Sequence, residues 1–156
     1  MKVVVAIDSL KGSLSSMEAG YAAKEGILIA HKDAEVIVKP LADGGEGTTD
    51  SLIEGLGGIR IDQTVTGPLG ASVSCYYGYL KESKTAIMEM ASAAGITLVP
   101  GSKKDPLHAT TFGVGEMIQD AIERGCRNFI IGIGGSATND GGLGMLKALG
   151  YSFLDA

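Results

Sequence analysis

The chain has 156 residues, 45% apolar and 20% charged, a balance that excludes a disordered polymer because there is enough apolar surface to build a core. Its formal net charge is −5, with 6 basic and 10 acidic side chains in residues 1–78 and 7 and 8 in residues 79–156, so neither half carries the basic footprint of a nucleic-acid binder. The apolar start is too short for a secretory h-region and no apolar run reaches 18 residues, which leads us to expect a cytoplasmic protein with no membrane partner.

Val3–Ile7 is a β-branched run typical of a buried parallel strand. After Asp8 comes a Gly/Ser loop, and Ser15 with Glu18 three residues on forms a capping box that opens a helix to about His31. Residues 34–39 form the next strand, stopped by Pro40, which makes the first 40 residues a βαβ unit. A second glycine loop (41–47) leads into a short helix, Thr48 to Leu56, closed by Gly57-Gly58. The pattern then changes. Ile59, Ile61, Val65, Val73, Cys75, Tyr77 and Tyr79 occupy odd positions around Gly67-Pro68-Leu69-Gly70, as in an antiparallel hairpin with one buried face.

Thr85 to Met90 is a third strand in this region, and Ala91 to Ala94 a small-residue segment. Apolar residues at 114, 117, 118, 121 and 122 predict a helix over 111–125. Asn128 to Ile133 is another buried strand, followed by a third glycine loop (134–142), a helix to about Leu149 and a strand starting at Tyr151. A strand with nothing after it is a poor ending, so the chain reads as the front portion of a longer protein. Cys75 and Cys126 are isolated and read as free structural thiols.

The 24 glycines without a G-X-Y period concentrate the functional question on the three loops. Each follows a strand, where open α/β sheets bind ligands, and each carries an acid: Asp8, the Asp43/Glu46 pair and Asp140. Any one of them alone reads more simply as a tight turn. Lys11 offers a point charge for a phosphate. Asp43 and Glu46, held by glycines, suit magnesium or proton removal from a hydroxyl. Gly132–Ala137 formally matches G-x-G-x-x-A, a dinucleotide fingerprint, but residues 138–142 delay the helix; a phosphate or polyol suits this loop better, with Ser136, Thr138 and Asp140 converging. Glu89 lies in an otherwise apolar strand and must be paired or functional. Thr110 and Thr111 follow His108 at a helix start, where hydroxyls most simply cap.

Six motifs in order resemble bacterial glycerate kinases: residues 8–15 (DSLKGSLS), 40–48 (PLADGGEGT), 67–70 (GPLG), 89–91 (EMA), 110–113 (TTFG) and 132–142 (GIGGSATNDGG). The resemblance implies ATP-dependent phosphorylation of D-glycerate with Mg²⁺, 2-phosphoglycerate being the favoured product. It also implies a two-domain α/β fold with the site in a cleft. Residues 1–62 would start a Rossmann-like domain, and 63–156 would form the front of a second, inserted α/β domain. Family members are more than twice as long, so the chain is incomplete relative to that fold. On charge and loop position, Lys11 and the Gly134-Gly135-Ser136 backbone bind anions, Asp43 or Asp140 is the base, and Glu46 is a possible Mg²⁺ ligand. Asp8, Ser9, Gly44, Gly45, Glu89, Thr110, Thr111 and Asn139 complete the candidate substrate and phosphate site. The competing expectations are a dinucleotide-dependent oxidoreductase domain, and a non-catalytic fragment that binds or self-associates as a homo-oligomer.

Overall fold

A computed structural model describes residues 1–8, 10, 13–41 and 43–154. The chain begins with β1 (Lys2–Ile7), α1 (Ser16–Ala30) and β2 (Glu35–Pro40). β1 and β2 pair in parallel from Lys2↔Glu35 to Ile7↔Pro40, as the βαβ pattern predicts. The capping box is present: the Ser15 hydroxyl accepts from the Glu18 amide, and the Glu18 carboxylate accepts from the Ser15 amide at 2.8 Å.

Next come α2 (Thr48–Leu56), β3 (Ile59–Thr66), β4 (Ser72–Leu80), β5 (Thr85–Glu89), α3 (Ala91–Ala94), α4 (Phe112–Glu123), β6 (Asn128–Gly132) and α5 (Leu143–Ala148). β3 to β6 form a second sheet in that order, antiparallel through the hairpin and parallel between β5 and β6. The fold is mixed α/β. The division expected after residue 62 falls inside β3.

Strand alternation sorts this sheet into two faces. Val65, Cys75, Tyr77, Ala86 and Met88 pack with Val114, Met117 and Ile118 of α4 to form the core. On the opposite face, Gly78 makes room for Ile53 of α2, beside Ile87. Cys75 and Cys126 are both free and buried, and burial pushes the Cys75 thiol up to about 11.

Three expectations are corrected. β6 is not a buried strand: Asn128, Ile130 and Ile131 are exposed, Phe129 is half-buried and Gly132 is buried. β1 is not buried on both faces: Val3, Val5 and Ile7 are half-buried, while Lys2, Val4 and Ala6 are exposed, because α1 covers one face only among the described residues. Tyr151–Leu154 forms no strand. Gly150, at φ 94°, turns the chain, and the Tyr151 amide returns to the Leu146 carbonyl at 3.0 Å. These residues close the end of α5 and join no ladder.

Candidate active site

The second and third loops leave the C-terminal ends of their strands and meet. The Leu41 amide donates to Ile7 O at 3.1 Å, which sets the start of the second loop beside the end of β1. The Gly134 amide donates to Gly44 O at 2.9 Å, joining the second loop to the third. The third loop is also pinned to α3 and its exit, through Ile96 N to Gly135 O and Ala137 N to Ala94 O, each 2.9 Å.

A cleft of about 440 Å³ opens between these segments. Its floor and walls are Asp43, Gly45 and Glu46 from the second loop, Glu89 from the end of β5, Tyr76 from β4, and Gly134 and Gly135 from the third loop; residues 91–98 supply Ala91, Ser92, Ile96, Thr97 and Leu98. Among the described lining residues there are three carboxylates and no Lys, Arg or His. The Asp43 carboxylate accepts from the Gly45 amide at 2.8 Å, and Asp43 and Glu46 are both exposed to the cleft.

Glu89 differs from its neighbours. It is 6% exposed, and its Oε1 accepts from the Thr49 amide at 2.7 Å. Burial pushes its carboxyl above the usual range, opposed by the Thr49 and Gly47 amides. The buried Thr49 hydroxyl lies close enough to favour the charged carboxyl yet misses hydrogen-bond geometry to it.

Asp140 faces elsewhere. With Thr111, Ser136, Thr138 and Asn139 it lines a neighbouring cavity of about 460 Å³, whose remaining wall is apolar. Its Oδ2 accepts from the Thr111 amide and hydroxyl, both at 2.8 Å, and from the Gly144 amide at 3.0 Å; its Oδ1 accepts from the Gly142 amide at 3.1 Å. Burial works to raise its pKa, but these four hydrogen bonds outweigh it and hold the carboxyl below the ordinary range. The Ser136 and Thr138 hydroxyls bond to each other at 2.9 Å and line the same cavity as Asp140.

The other predicted residues sort as follows. Gly44 lies under the cleft against Gly132 and Gly134. Asp8 follows β1 and lines neither cavity. The Thr110 hydroxyl accepts from Phe112 N at 3.2 Å, a local turn bond just ahead of α4, whose N-cap position is Thr111. Thr111 does not cap its own helix: its hydroxyl donates to Asp140 and accepts from Met145 N at 2.9 Å, tying α4 to α5. Lys11 and Ser9 lie outside the described residues. Tyr76 was missed by sequence reasoning. It sits at an even position on the hairpin, so the alternation that picked out Cys75 and Tyr77 assigned it to the far face, where α2 and the cleft lie. Its hydroxyl donates to Asp50 of α2 at 2.9 Å, and Arg60 stacks 3.6 Å above its ring.

The sequence pattern of the glycerate kinase family matches residues 3–156. The chain belongs to that family. It is 49% identical over 155 residues to the glycerate kinase of Bacillus subtilis (strain 168), covering 99% of this chain and 41% of the relative. It is also 49% identical over 156 residues to the glycerate 2-kinase of Escherichia coli (strain K12), covering 100% and 41%. A crystal structure from Salmonella typhimurium LT2, described as glycerate kinase 2, superposes with a TM-score of 0.84 at 47% identity, covering 96% of this chain and 40% of that one. This family member thus spans about two-fifths of the length of these relatives. The fingerprint expected of a dinucleotide site lacks its helix: α5 begins only at Leu143, well past Gly134. Among the described residues, no helix is long and apolar enough to cross a membrane.

Proposed function

We propose that the protein containing this chain transfers the γ-phosphoryl group of ATP to D-glycerate, forming 2-phosphoglycerate, in the cytoplasm. The observation that supports this best is the meeting of the second and third glycine loops at one cleft, in a chain matched along its whole length by relatives named glycerate kinase. The two-unit division, with its boundary in or near β3, belongs to the same proposal.

Phosphoryl transfer asks for positioning and charge neutralisation more than covalent chemistry. Asp43, exposed at the cleft, accepts the proton of the attacking glycerate hydroxyl. Gly135 on the cleft wall and Lys11 bind the anionic groups, whereas the Gly134 amide, bonded to the Gly44 carbonyl, holds the two loops together. No three carboxylates, histidines or cysteines among the described residues cluster as a self-sufficient metal site. That suits Mg²⁺, which typically takes one or two protein carboxylates and completes its shell with water and substrate phosphates. Glu46 would hold it, and when bound it neutralises charge on the phosphates. An anionic substrate entering a cleft with three carboxylates needs such a cation. Asp140, saturated by four donors, serves the loop rather than the proton.

The test is kinetic, on the full-length protein with an ADP-release assay. Asp43→Asn should lower kcat by about 100-fold or more, the scale of a lost general base, and Lys11→Met should raise the apparent KM for the nucleotide. Unchanged turnover in Asp43→Asn would remove Asp43 from the base role, and an unchanged KM would remove Lys11 from the phosphate site.

A further inference from the structure

Glu89 belongs to β5, yet its hydrogen-bond partner belongs to α2, 40 residues earlier. A helix start leaves its first amides without intrahelical acceptors. In α2 the preceding residue is Gly47, in the left-handed region at φ 87°, with no side chain to cap with. Glu89 Oε1 is the acceptor that the Thr49 amide finds, supplied by a strand. The same helix start carries the acidic loop: Gly44 N donates to the Thr48 hydroxyl at 3.0 Å, and Thr48 N to Gly45 O at 3.2 Å. An unbroken path therefore runs from Glu89 through Thr49 and Thr48 to Gly44 and Gly45, between and beside Asp43 and Glu46.

We propose that Glu89 is a positioning residue for the transfer reaction: by accepting the Thr49 amide it clamps the first turn of α2 to β5 and so aims Asp43 and Glu46 into the cleft. This departs from the expectation that Glu89 binds substrate, and it rests on the kinase reading above. Burial explains the economy of the arrangement. A carboxyl taken out of water is costly without partners, and here the amides of a helix start, at the positive end of its dipole, provide them. Glycine at 47 cannot substitute, because it has no acceptor to offer.

Two conservative variants of the full-length protein separate the clamp from direct substrate contact. Glu89→Gln keeps the length and one acceptor oxygen but loses the charge; Glu89→Asp keeps the charge but is one methylene too short to reach Thr49. Clamping predicts that the Asp variant falls in kcat by about 100-fold, the cost of misplacing a reacting group by about 1 Å, and that the Gln variant falls by about tenfold or less, with both KM values little changed. The reverse order, or a raised glycerate KM in the Gln variant, overturns the proposal. Hydrogen exchange at the Thr49 amide gives a second readout that does not depend on turnover: protection should persist in the Gln variant and collapse in the Asp variant. Equal protection in both would overturn the clamp. If the wild type itself releases no ADP with D-glycerate, the kinase reading falls and the exchange experiment alone decides the clamp.

Discussion

The carbonyl of Gly44 accepts the Gly134 amide at 2.9 Å, and a Cβ built on Gly132 would meet that same carbonyl at 2.6 Å. Two loops from two different sheets therefore touch backbone to backbone, at a separation that only glycine allows. Gly132→Ala should wedge them apart and open the cleft between Asp43 and Gly134. We expect kcat of the full-length protein to fall by about 100-fold, with a stability loss of about 1–3 kcal/mol for the overpacked contact. Steady-state kinetics and denaturant unfolding measure the two effects separately. Wild-type turnover in the alanine variant would show that the loops need not touch.

Asp140 is the second test, because its four donors make it a fastener between α4, α5 and the third loop. Asp140→Asn replaces an acceptor oxygen by an NH₂ group facing donors, and should destabilise by about 1–3 kcal/mol. The sign of the pH dependence follows from the lowered folded pKa. The stabilisation is present above the ordinary carboxyl value of 3.8 and is lost as pH falls through the folded value. Urea unfolding of wild type and variant should therefore differ at pH 7 and converge on acidification. A difference that grows as the pH falls would contradict this assignment.

Local chemistry was legible in the sequence wherever the partner is near in the chain. The Ser15/Glu18 box, the turn at Gly67–Gly70 and the helical spacing of α4 all involve residues a few positions apart, and each forms as read. The three loops were legible as loops, since glycine punctuation marks where a backbone must turn or come close. What they hold was not. Thr111 bonds Asp140 across 29 residues and Glu89 bonds Thr49 across 40, and no periodicity carries that information. Tyr76 was hidden for a related reason: alternation says which residues share a face, not which face meets the cleft.

Tyr77 shows how a buried polar group on the core face is satisfied. Its ring is fully buried, and its hydroxyl donates to Asp120 Oδ2 at 2.6 Å, where Arg124 also donates at 2.8 Å. Burial pushes the phenol well above its usual pKa, and the hydrogen bond to Asp120 adds to that. Tyr77→Phe leaves Asp120 its arginine, so the cost should be about 1 kcal/mol. Asp120→Ala strands the hydroxyl and frees the arginine, and should cost about 1–3 kcal/mol. Denaturant unfolding should rank them in that order; equal or reversed losses would show that Asp120 does not serve the tyrosine.

Two helical glycines make opposite predictions from the same substitution. Gly115 lies inside α4, where a Cβ would run into the Met145 carbonyl and stand 2.6 Å from the Ala148 Cβ of α5. Gly26 lies inside α1 with nothing within 4 Å of its Cβ position. Alanine is the better helix former by about 1 kcal/mol at either site. At Gly26 that preference acts alone, so Gly26→Ala should stabilise by about 0.5–1 kcal/mol. At Gly115 the contact is with backbone, which cannot rotate away, so α4 and α5 must separate at a cost of about 1–3 kcal/mol. Gly115→Ala should accordingly lower the denaturation midpoint while Gly26→Ala raises it. The separation should also loosen the Thr111–Met145 link, because that bond spans the same two helices at 2.9 Å. Faster hydrogen exchange at the Met145 amide in Gly115→Ala alone would trace the effect to this interface, and equal shifts in both variants would place it elsewhere.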